Sequence, residues 1–500
     1  MAAYVASRVL GLVREMVIAR QFGTSAELGA YLAAFRIPDL IFQLLAGGAL
    51  GSSFIPVFSV YLATRQREEA WRLASAVYNL VGLVTTVGAL AAFLFTPQLV
   101  SLLVPGFSTE MQDLTERLMR MMLLTPIIFG LSGISMAVLN AYQHFLLPAL
   151  APAVYNLAII AGALFLTPLL GISGLAVGVV IGAALHLLIQ FPGLGQKGWS
   201  YFPTLGLHLP GVREVISLLL PRVLGLAVMQ VNFLVNVVLA SNLAEDSLSA
   251  LNYAFLLMML PQGVFAMAIA TAAFPSFSDL VARQQLDGLR ETLSATLRAT
   301  LFLTIPAGVG LFILRYPLIQ ALLERGEFTS ASTRSVAWAL QFYSLGLPAY
   351  AVVEIVSRAF YALHDTRTPV AVGAATVALN IALSLALIRP LQHGGLALAN
   401  ALAVNVEMVS LLWFLRRRLG ELAERHFLAS ICQILLSALL MGLGLVVLLQ
   451  LGRERNSWML AIGGLIMGGC IYAIASWAVG SMEMRALGGS AWRRLYSRRR

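Results

Sequence analysis

The sequence predicts an all-α polytopic membrane protein: about fourteen transmembrane helices in two parallel six-helix lobes around a central cavity, plus two extra C-terminal helices. Three observations predict it. Of 500 residues, 59% are hydrophobic and 11% charged, against about 45–50% and about 25% in soluble domains. The apolar residues are gathered into runs such as 81–95, 157–170, 431–451 and 459–479, and about 20 apolar residues span the hydrocarbon core as a helix. Short segments also recur in the same order in the two halves of the chain. Lipid offers the backbone no hydrogen-bond partner, so a spanning segment is a helix or part of a closed barrel. These runs are too long and continuous for barrel strands.

Taken in order, the first span, 4–21, is the least apolar, holding Arg8, Arg14, Glu15 and Arg20. No uncharged stretch precedes a cleavage site, so it reads as a retained helix and not a signal peptide. The second, 34–63, opens on Arg36 and Asp39 flanking Pro38 and then turns apolar. Spans 74–99, 115–140, 148–169 and 173–191 are nearly uncharged and complete the first six. The seventh, 214–241, carries Arg222, Asn232 and Asn236; spans 248–282, 296–315, 332–362, 369–388 and 394–415 follow. Two further runs, 428–451 and 458–480, lie beyond the repeat.

The repeat is collinear. "RVLGL" occurs at Arg8 and again at Arg222, "PVFS" at Pro56 resembles "PSFS" at Pro275, and "GFST" resembles "EFTS" with Phe107 against Phe328. Pro148 matches Pro369, and "GLA" at Gly174 matches "GLA" at Gly395. The offsets grow from 214 to 221 and then hold, as two diverged copies with small insertions do. Six spans per copy start both on the same side, which makes the repeats parallel and places a substrate site at their interface near the midplane. The expected parts are an N-lobe at 1–195, a C-lobe at 196–420, the extra pair at 421–482 and a basic cytoplasmic tail at 483–500.

Charge fixes the expected orientation. The net charge of +10 would suggest nucleic acid in a soluble protein, but here the cations follow the loops. Nineteen Lys and Arg fall in the tail and the loops on the side of the termini, against six to eight opposite. The positive-inside rule therefore puts both termini in the cytoplasm, with the tail "WRRLYSRRR" on anionic phospholipid headgroups and no nucleic-acid partner. Cys432 and Cys470 read as small buried apolar residues. The six histidines have no ligand spacing, so neither a metal nor a cofactor is expected.

An ionisable group at membrane depth costs about 2.5–3.5 kcal/mol or more, so each needs a reason. Arg8, Gly11 and Glu15 share one face of the first span, while Arg14 and Arg20 project elsewhere. Arg222, Asn232 and Asn236 form a polar stripe on the seventh. Secondary candidates are Arg36 with Asp39, Arg358 with Glu354 four residues before it, and Glu407, a lone acid in an apolar helix. Each of these has a plain alternative as a local ion pair or a snorkelling side chain. Counted together they line a cavity of net positive sign, and arginine forks match phosphate oxygens in a bidentate way. An anionic lipid headgroup, above all a pyrophosphate, fits such a chamber.

The stretches "SRVLGLVREMVIARQFG", "IPDLIFQLLAGGALGSSFIPVFS", "VPGF", "PQGVFAMAIATAAFPSFS", "RGEFT" and "AFYALHDTRTPV" resemble the MurJ/MviN family, in order, from about residue 5 to 480. The resemblance implies a lipid II flippase of the multidrug/oligosaccharidyl-lipid/polysaccharide exporter superfamily. Such a protein moves the undecaprenyl-pyrophosphate-linked peptidoglycan precursor across the bacterial cytoplasmic membrane by alternating access, and so serves cell-wall biogenesis and cell shape. By the same resemblance Arg8 and Arg14 hold the pyrophosphate and Glu15 stands where an acid is common. Phe42, Gly47, Leu256, Phe255 and Gly29 stand where many members carry charges, and Arg222 is expected to replace lost positive charge. A coupling ion is left open. The alternatives are a flippase for another polyprenyl-linked oligosaccharide and, from a different class, a membrane glycosyltransferase. The latter needs a positioned acid or base that the short outward loops lack.

Overall fold

The structure, a computed structural model, describes residues 2–45, 48–64, 67–420, 424–452 and 456–485. The first half runs α1 (Ala2–Phe22), α2 (Ala26–Leu45), α3 (Gly48–Ala63), α4 (Arg67–Leu94), α5 (Thr96–Leu103), α6 (Thr109–Met122), α7 (Leu124–Ala141), α8 (Leu146–Ala161), α9 (Thr167–Leu170), α10 (Ile172–Leu188) and α11 (Phe191–Gln196). The second runs α12 (Pro210–Ser241), α13 (Ser247–Pro261), α14 (Met267–Ala282), α15 (Leu286–Leu322), α16 (Ser330–Tyr343), α17 (Leu347–Ala362), α18 (Arg367–Leu391), α19 (His393–Leu419), α20 (Glu424–Leu451) and α21 (Ser457–Ala478). The described residues contain no strand.

Among the described residues, eleven helices or in-line helix pairs are long and apolar enough to cross a membrane, and each matches one expected span. The remaining three expected spans are the first, second and seventh. Their charges dilute the apolar run: α1 carries three arginines and a glutamate, and α2 begins at Ala26 rather than 34, with Glu27 in its first turn. In α12 the first half carries Arg213, Glu214 and Arg222. These three segments hold Arg8, Arg14, Glu15, Arg36, Asp39, Arg222, Asn232 and Asn236, whereas Arg358 and Glu407 lie on two of the eleven. The tail beyond 485 lies outside the described residues, as does Gly47.

By contacts the chain forms two compact units. One comprises Met1–Ser249 with Arg325–Phe328, and the other begins at Ala250 without that tetrapeptide. In the first unit α12 packs on α2, α3 and α5. Its core includes an aromatic ladder: Phe54 and Phe58 stack at 5.0 Å, and Phe58 meets Trp71 and Tyr142 at 6.2 and 6.0 Å. Helices in lipid associate by close packing of small residues more than by hydrophobic burial. Gly178 and Gly182 on α10 do this against α8 and the turn that follows it, and Gly174 against Leu166 and Thr167. A Cβ on Gly182 would lie 2.8 Å from the Tyr155 ring, and one on Gly178 would lie 3.1 Å from Gly162 Cα. This stripe holds α8, and with it Tyr155 and Asn156, in place. In the second unit, α15, α17 and α19 bury Leu293, Leu297, Ile355, Val356, Leu411 and Leu415.

The duplication is visible in the backbone. Gln143 and His364, 221 residues apart, both take positive φ (56° and 59°). So do Gly171 and Gln392, also 221 apart, at φ 58°, ψ −143° and φ 52°, ψ −135°. Two corresponding glycines repeat the same close approach: a Cβ on Gly174 would lie 2.5 Å from Leu166 C, and one on Gly395 would lie 2.6 Å from Leu387 C.

At the end of α1 away from the N-terminus, the chain meets the Arg325–Phe328 tetrapeptide backbone to backbone. The Glu327 N–H donates to the Arg20 carbonyl at 2.9 Å. Gly23 (φ +54°) and Gly326 (φ +60°) both face this junction, where a Cβ on either would strike the opposing carbonyl group. Phe328 is buried beside it. A second junction lies at the end of α12, where a Cβ on Gly106 would lie 2.7 Å from Asn242 N. Repeat-related Phe107 and Phe328 therefore sit in corresponding loops, each closed on the end of a helix that carries an "RVLGL" copy.

The expectation for the cysteines is corrected. Cys432 on α20 and Cys470 on α21 are exposed, not buried. In a membrane protein the outer surface of a helix faces acyl chains, so an apolar residue there need not be in the core.

Candidate functional site

The first unit gathers a polar cluster from α1, α2 and α8. Arg14 lies mid-way along α1. Its Nε and Nη2 donate to Glu15 Oε1 at 3.1 and 2.5 Å, and its Nη1 donates to Asn156 Oδ1 at 3.0 Å. Neighbouring helix residues do not ordinarily face one another; the long arginine stem lets the guanidinium fold back over Glu15. Asn156 also donates from Nδ2 to the Ser7 carbonyl at 3.3 Å, tying α8 to α1 in two places. Glu15 is buried, while the Arg14 side chain keeps 26% of its surface exposed. Three of the five guanidinium N–H donors are engaged, and two are left for a ligand. The result is a cation held in one orientation by a carboxylate and an amide.

Around it stand Tyr31, buried on α2, and Tyr155 on α8, both within electrostatic reach of Arg14. Tyr155 is also within reach of Asp39, so the α2 carboxylate belongs to the same neighbourhood. Asp39 accepts a hydrogen bond from Gln43 and is near Arg36, in line with a local pair. The Arg36 guanidinium sits 5.8 Å over the Phe233 ring of α12. Arg8 lies exposed two turns before Arg14 on α1, and Arg20 is exposed at its end. Asn236 donates to the Asn232 carbonyl at 2.9 Å and to its Oδ1 at 3.3 Å, so the α12 stripe bonds along its own helix. Arg222 is part of α12, and its side chain lies outside the described residues.

Sequence reasoning missed Asn156. The signal was present, since an asparagine in "PAVYNLAII" is a polar group at membrane depth. Its partner, 142 residues earlier, is fixed only by the packing of α8 on α1.

The second unit holds the other secondary candidates. Arg358 donates to Glu354 from Nε and Nη2 at 3.0 and 2.8 Å, as the i,i+4 spacing predicts, and from Nη1 to Thr271 at 3.2 Å. Glu407 on α19 faces Gly373 of α18, where a Cβ would lie 3.8 Å from Oε1. Tyr350, whose hydroxyl donates to Asn400 at 2.7 Å, and Tyr361 are within its electrostatic reach.

Aromatic packing fills positions where charge was expected. Phe42 packs on Phe129 at 5.3 Å, and Phe129 meets Tyr155 at 5.1 Å and His186 at 5.3 Å. Phe255 meets Tyr343 at 5.5 Å. A Cβ at Gly29 would make ordinary contact with the Phe107 ring and the Glu245 carbonyl, each 3.6 Å away.

With this geometry in hand, the comparisons decide the family. A family profile described as "Lipid II flippase MurJ" matches residues 18–467. The chain belongs to the MurJ family. It is 31% identical over 422 residues to the lipid II flippase MurJ of Burkholderia cenocepacia, covering 82% of this chain and 81% of that one. It is 30% identical over 457 residues to a probable MurJ of Haemophilus influenzae, covering 87% and 89%. A solved MurJ in an inward closed conformation superposes with a TM-score of 0.81 at 28% identity, covering 95% of this chain and 97% of that one. A multidrug resistance transporter of the MATE family, in an inward-facing conformation, shares the fold at TM-score 0.71 and 15% identity, covering 84% of this chain and 96% of that one. MurJ proteins are flippases, transporters and not enzymes, and this member is a multi-pass inner-membrane protein.

Proposed function

We propose that this chain carries lipid II from the inner to the outer leaflet of the bacterial cytoplasmic membrane, with both termini in the cytoplasm. The observation that supports it most is the Arg14 guanidinium, held at membrane depth by Glu15 and Asn156 with two N–H donors left over. Two such donors suit a phosphate edge, and family membership supplies the lipid. Arg8 adds a second cation on the same helix, and Arg222 a third from α12. Their role is binding and orientation; no bond is made or broken and no cofactor takes part.

Release is by alternating access, in a fold found in both inward-facing and outward-facing forms. Carrying a negative headgroup outward runs with an inside-negative potential, about 2.3 kcal/mol per charge per 100 mV. Resetting the empty carrier draws on that potential or on a coupling ion, which transport at clamped potential distinguishes. The tail at 483–500 rests on anionic phospholipid.

The test is expression in a host depleted of its own flippase, with lipid II counted in each leaflet. The wild-type chain clears lipid II from the inner leaflet, Arg14→Ala does not, and Arg14→Lys, which keeps the charge without the fork, is intermediate. The aromatic packing at Phe42 and Phe255 favours one second reading, a flippase for another polyprenyl-linked oligosaccharide. Lipid II that stays put while a different polyprenyl lipid crosses would establish it and overturn the first.

A further inference from the structure

The only lysine of the chain sits in "QKGWSYF", an irregular segment between α11 and α12. This segment is fastened along α4. Asn79 donates to the carbonyls of Phe202 and Thr204 at 3.2 and 2.9 Å and accepts from the Tyr201 hydroxyl at 2.9 Å. The Phe202 N–H donates to Ser75 at 3.1 Å. Between the segment and α4 lies an open cleft of ≈ 450 Å³ lined by Tyr78, Asn79, Gly82, Leu131, Trp199 and Tyr201. Its volume is that of a small-molecule site. Gly82 lets Leu131 pack closely in its wall, where a Cβ would lie 3.1 Å from the Leu131 side chain, and Leu83, Val84 and Val87 of α4 are exposed. The cleft therefore opens onto the face of α4 that meets acyl chains.

Beyond the cleft, past the hollow shared by Trp71 and Trp199, two cations gather at Tyr142. The Lys197 ammonium lies 5.7 Å over the Tyr142 ring, and Arg67 is within electrostatic reach of the same ring. Tyr142 stacks on Trp71, which lines the adjoining hollow together with Trp199. Glu68 on α4 is taken by Arg72 at 2.8 Å, which leaves Glu69 as the nearby acid. Tryptophan and tyrosine at this level mark the membrane–water interface, and basic pockets between helices there bind acidic headgroups.

We propose that this cleft is a selective site for an anionic glycerophospholipid of the surrounding bilayer. Its phosphate would rest between Lys197 and Arg67, and one acyl chain would lie along Trp199 toward Leu131. Nothing in lipid II transport requires it; the bound lipid pins the segment joining the two repeats.

The full chain, reconstituted in nanodiscs, tests this by fluorescence quenching with dibrominated lipids. The Trp199 signal is the difference between wild type and Trp199→Phe. Brominated phosphatidylglycerol is expected to quench it at a several-fold lower mole fraction than brominated phosphatidylcholine. Lys197→Gln is expected to remove roughly fivefold of that preference, as about 1 kcal/mol per surface cation implies, and Lys197→Gln with Arg67→Gln to abolish it. Equal quenching by the two lipids would mean that the cleft holds bulk lipid and would overturn the proposal. So would a preference that survives the double substitution, or no quenching by either lipid.

Discussion

The junction between α1 and the Arg325–Phe328 tetrapeptide makes a sharp prediction for Gly326→Ala. At φ +60° a left-handed alanine costs about 1–2 kcal/mol. Its Cβ would also strike the Arg20 carbonyl and lie 3.0 Å from Arg20 Cγ, an overpacking of about 1–3 kcal/mol. Relief requires the two backbones to part, which breaks the 2.9 Å bond from the Glu327 amide to Arg20. Even the low end of this sum, about 2 kcal/mol, weakens the docked state some thirtyfold, since about 1.4 kcal/mol is tenfold. The Glu327 amide reports it directly. Hydrogen–deuterium exchange of a peptide spanning 324–329 should speed up at least tenfold in Gly326→Ala. It should not change in Gly310→Ala, where a Cβ meets nothing within 4 Å. Unchanged exchange in Gly326→Ala would show that this junction does not hold the tetrapeptide, and the reasoning would fail.

Other outcomes follow from single contacts. Asn156→Ala removes a charge-assisted bond to Arg14 worth about 1.5–3 kcal/mol. Affinity for a pyrophosphate lipid, measured by native mass spectrometry, should fall about tenfold or more, whereas Asn140→Ala should leave it unchanged. Gln392→Gly should raise the unfolding midpoint, because glutamine at φ 52°, ψ −135° stores about 1–3 kcal/mol that its repeat partner Gly171 does not. Asp365, between α17 and α18, gives a pH dependence. Burial pushes its carboxyl up, but bonds from the Thr368 amide and hydroxyl and the Arg418 guanidinium outweigh it and hold it below the usual carboxylate range. With a folded-state pKa below the unfolded one, its stabilisation is fully present above about pH 4 and is lost as pH falls through the folded value. Asp365→Asn should flatten that acid limb of the melting curve.

The eleven spans that each contain a long apolar window with few charges were legible because such a run has one solution in lipid. The duplication was legible too, and positions 143 and 364, or 171 and 392, share their backbone geometry as the 221-residue offset requires. The start of α2 was not, because Glu27 and its neighbours hide a helix that the fold continues through. Periodicity put Glu15 on the face of Arg8, yet its carboxylate takes the guanidinium of its neighbour Arg14. A helical wheel carries no information about where a four-bond side chain folds. Asn156 stayed hidden for a related reason: its bond to Arg14 depends on the packing of α8 against α1, which no local pattern encodes.

Helix α1 bears the oriented guanidinium at Arg14 and, six residues on, the Arg20 carbonyl that receives the Glu327 amide. At about 1.5 Å per residue these points are about 9 Å apart on one rigid rod. If Arg14 takes the headgroup as proposed, a tilt that seats it there would also swing the Arg20 carbonyl. Occupancy and the fastening of the distant tetrapeptide become one mechanical variable, with no relay of side chains between them.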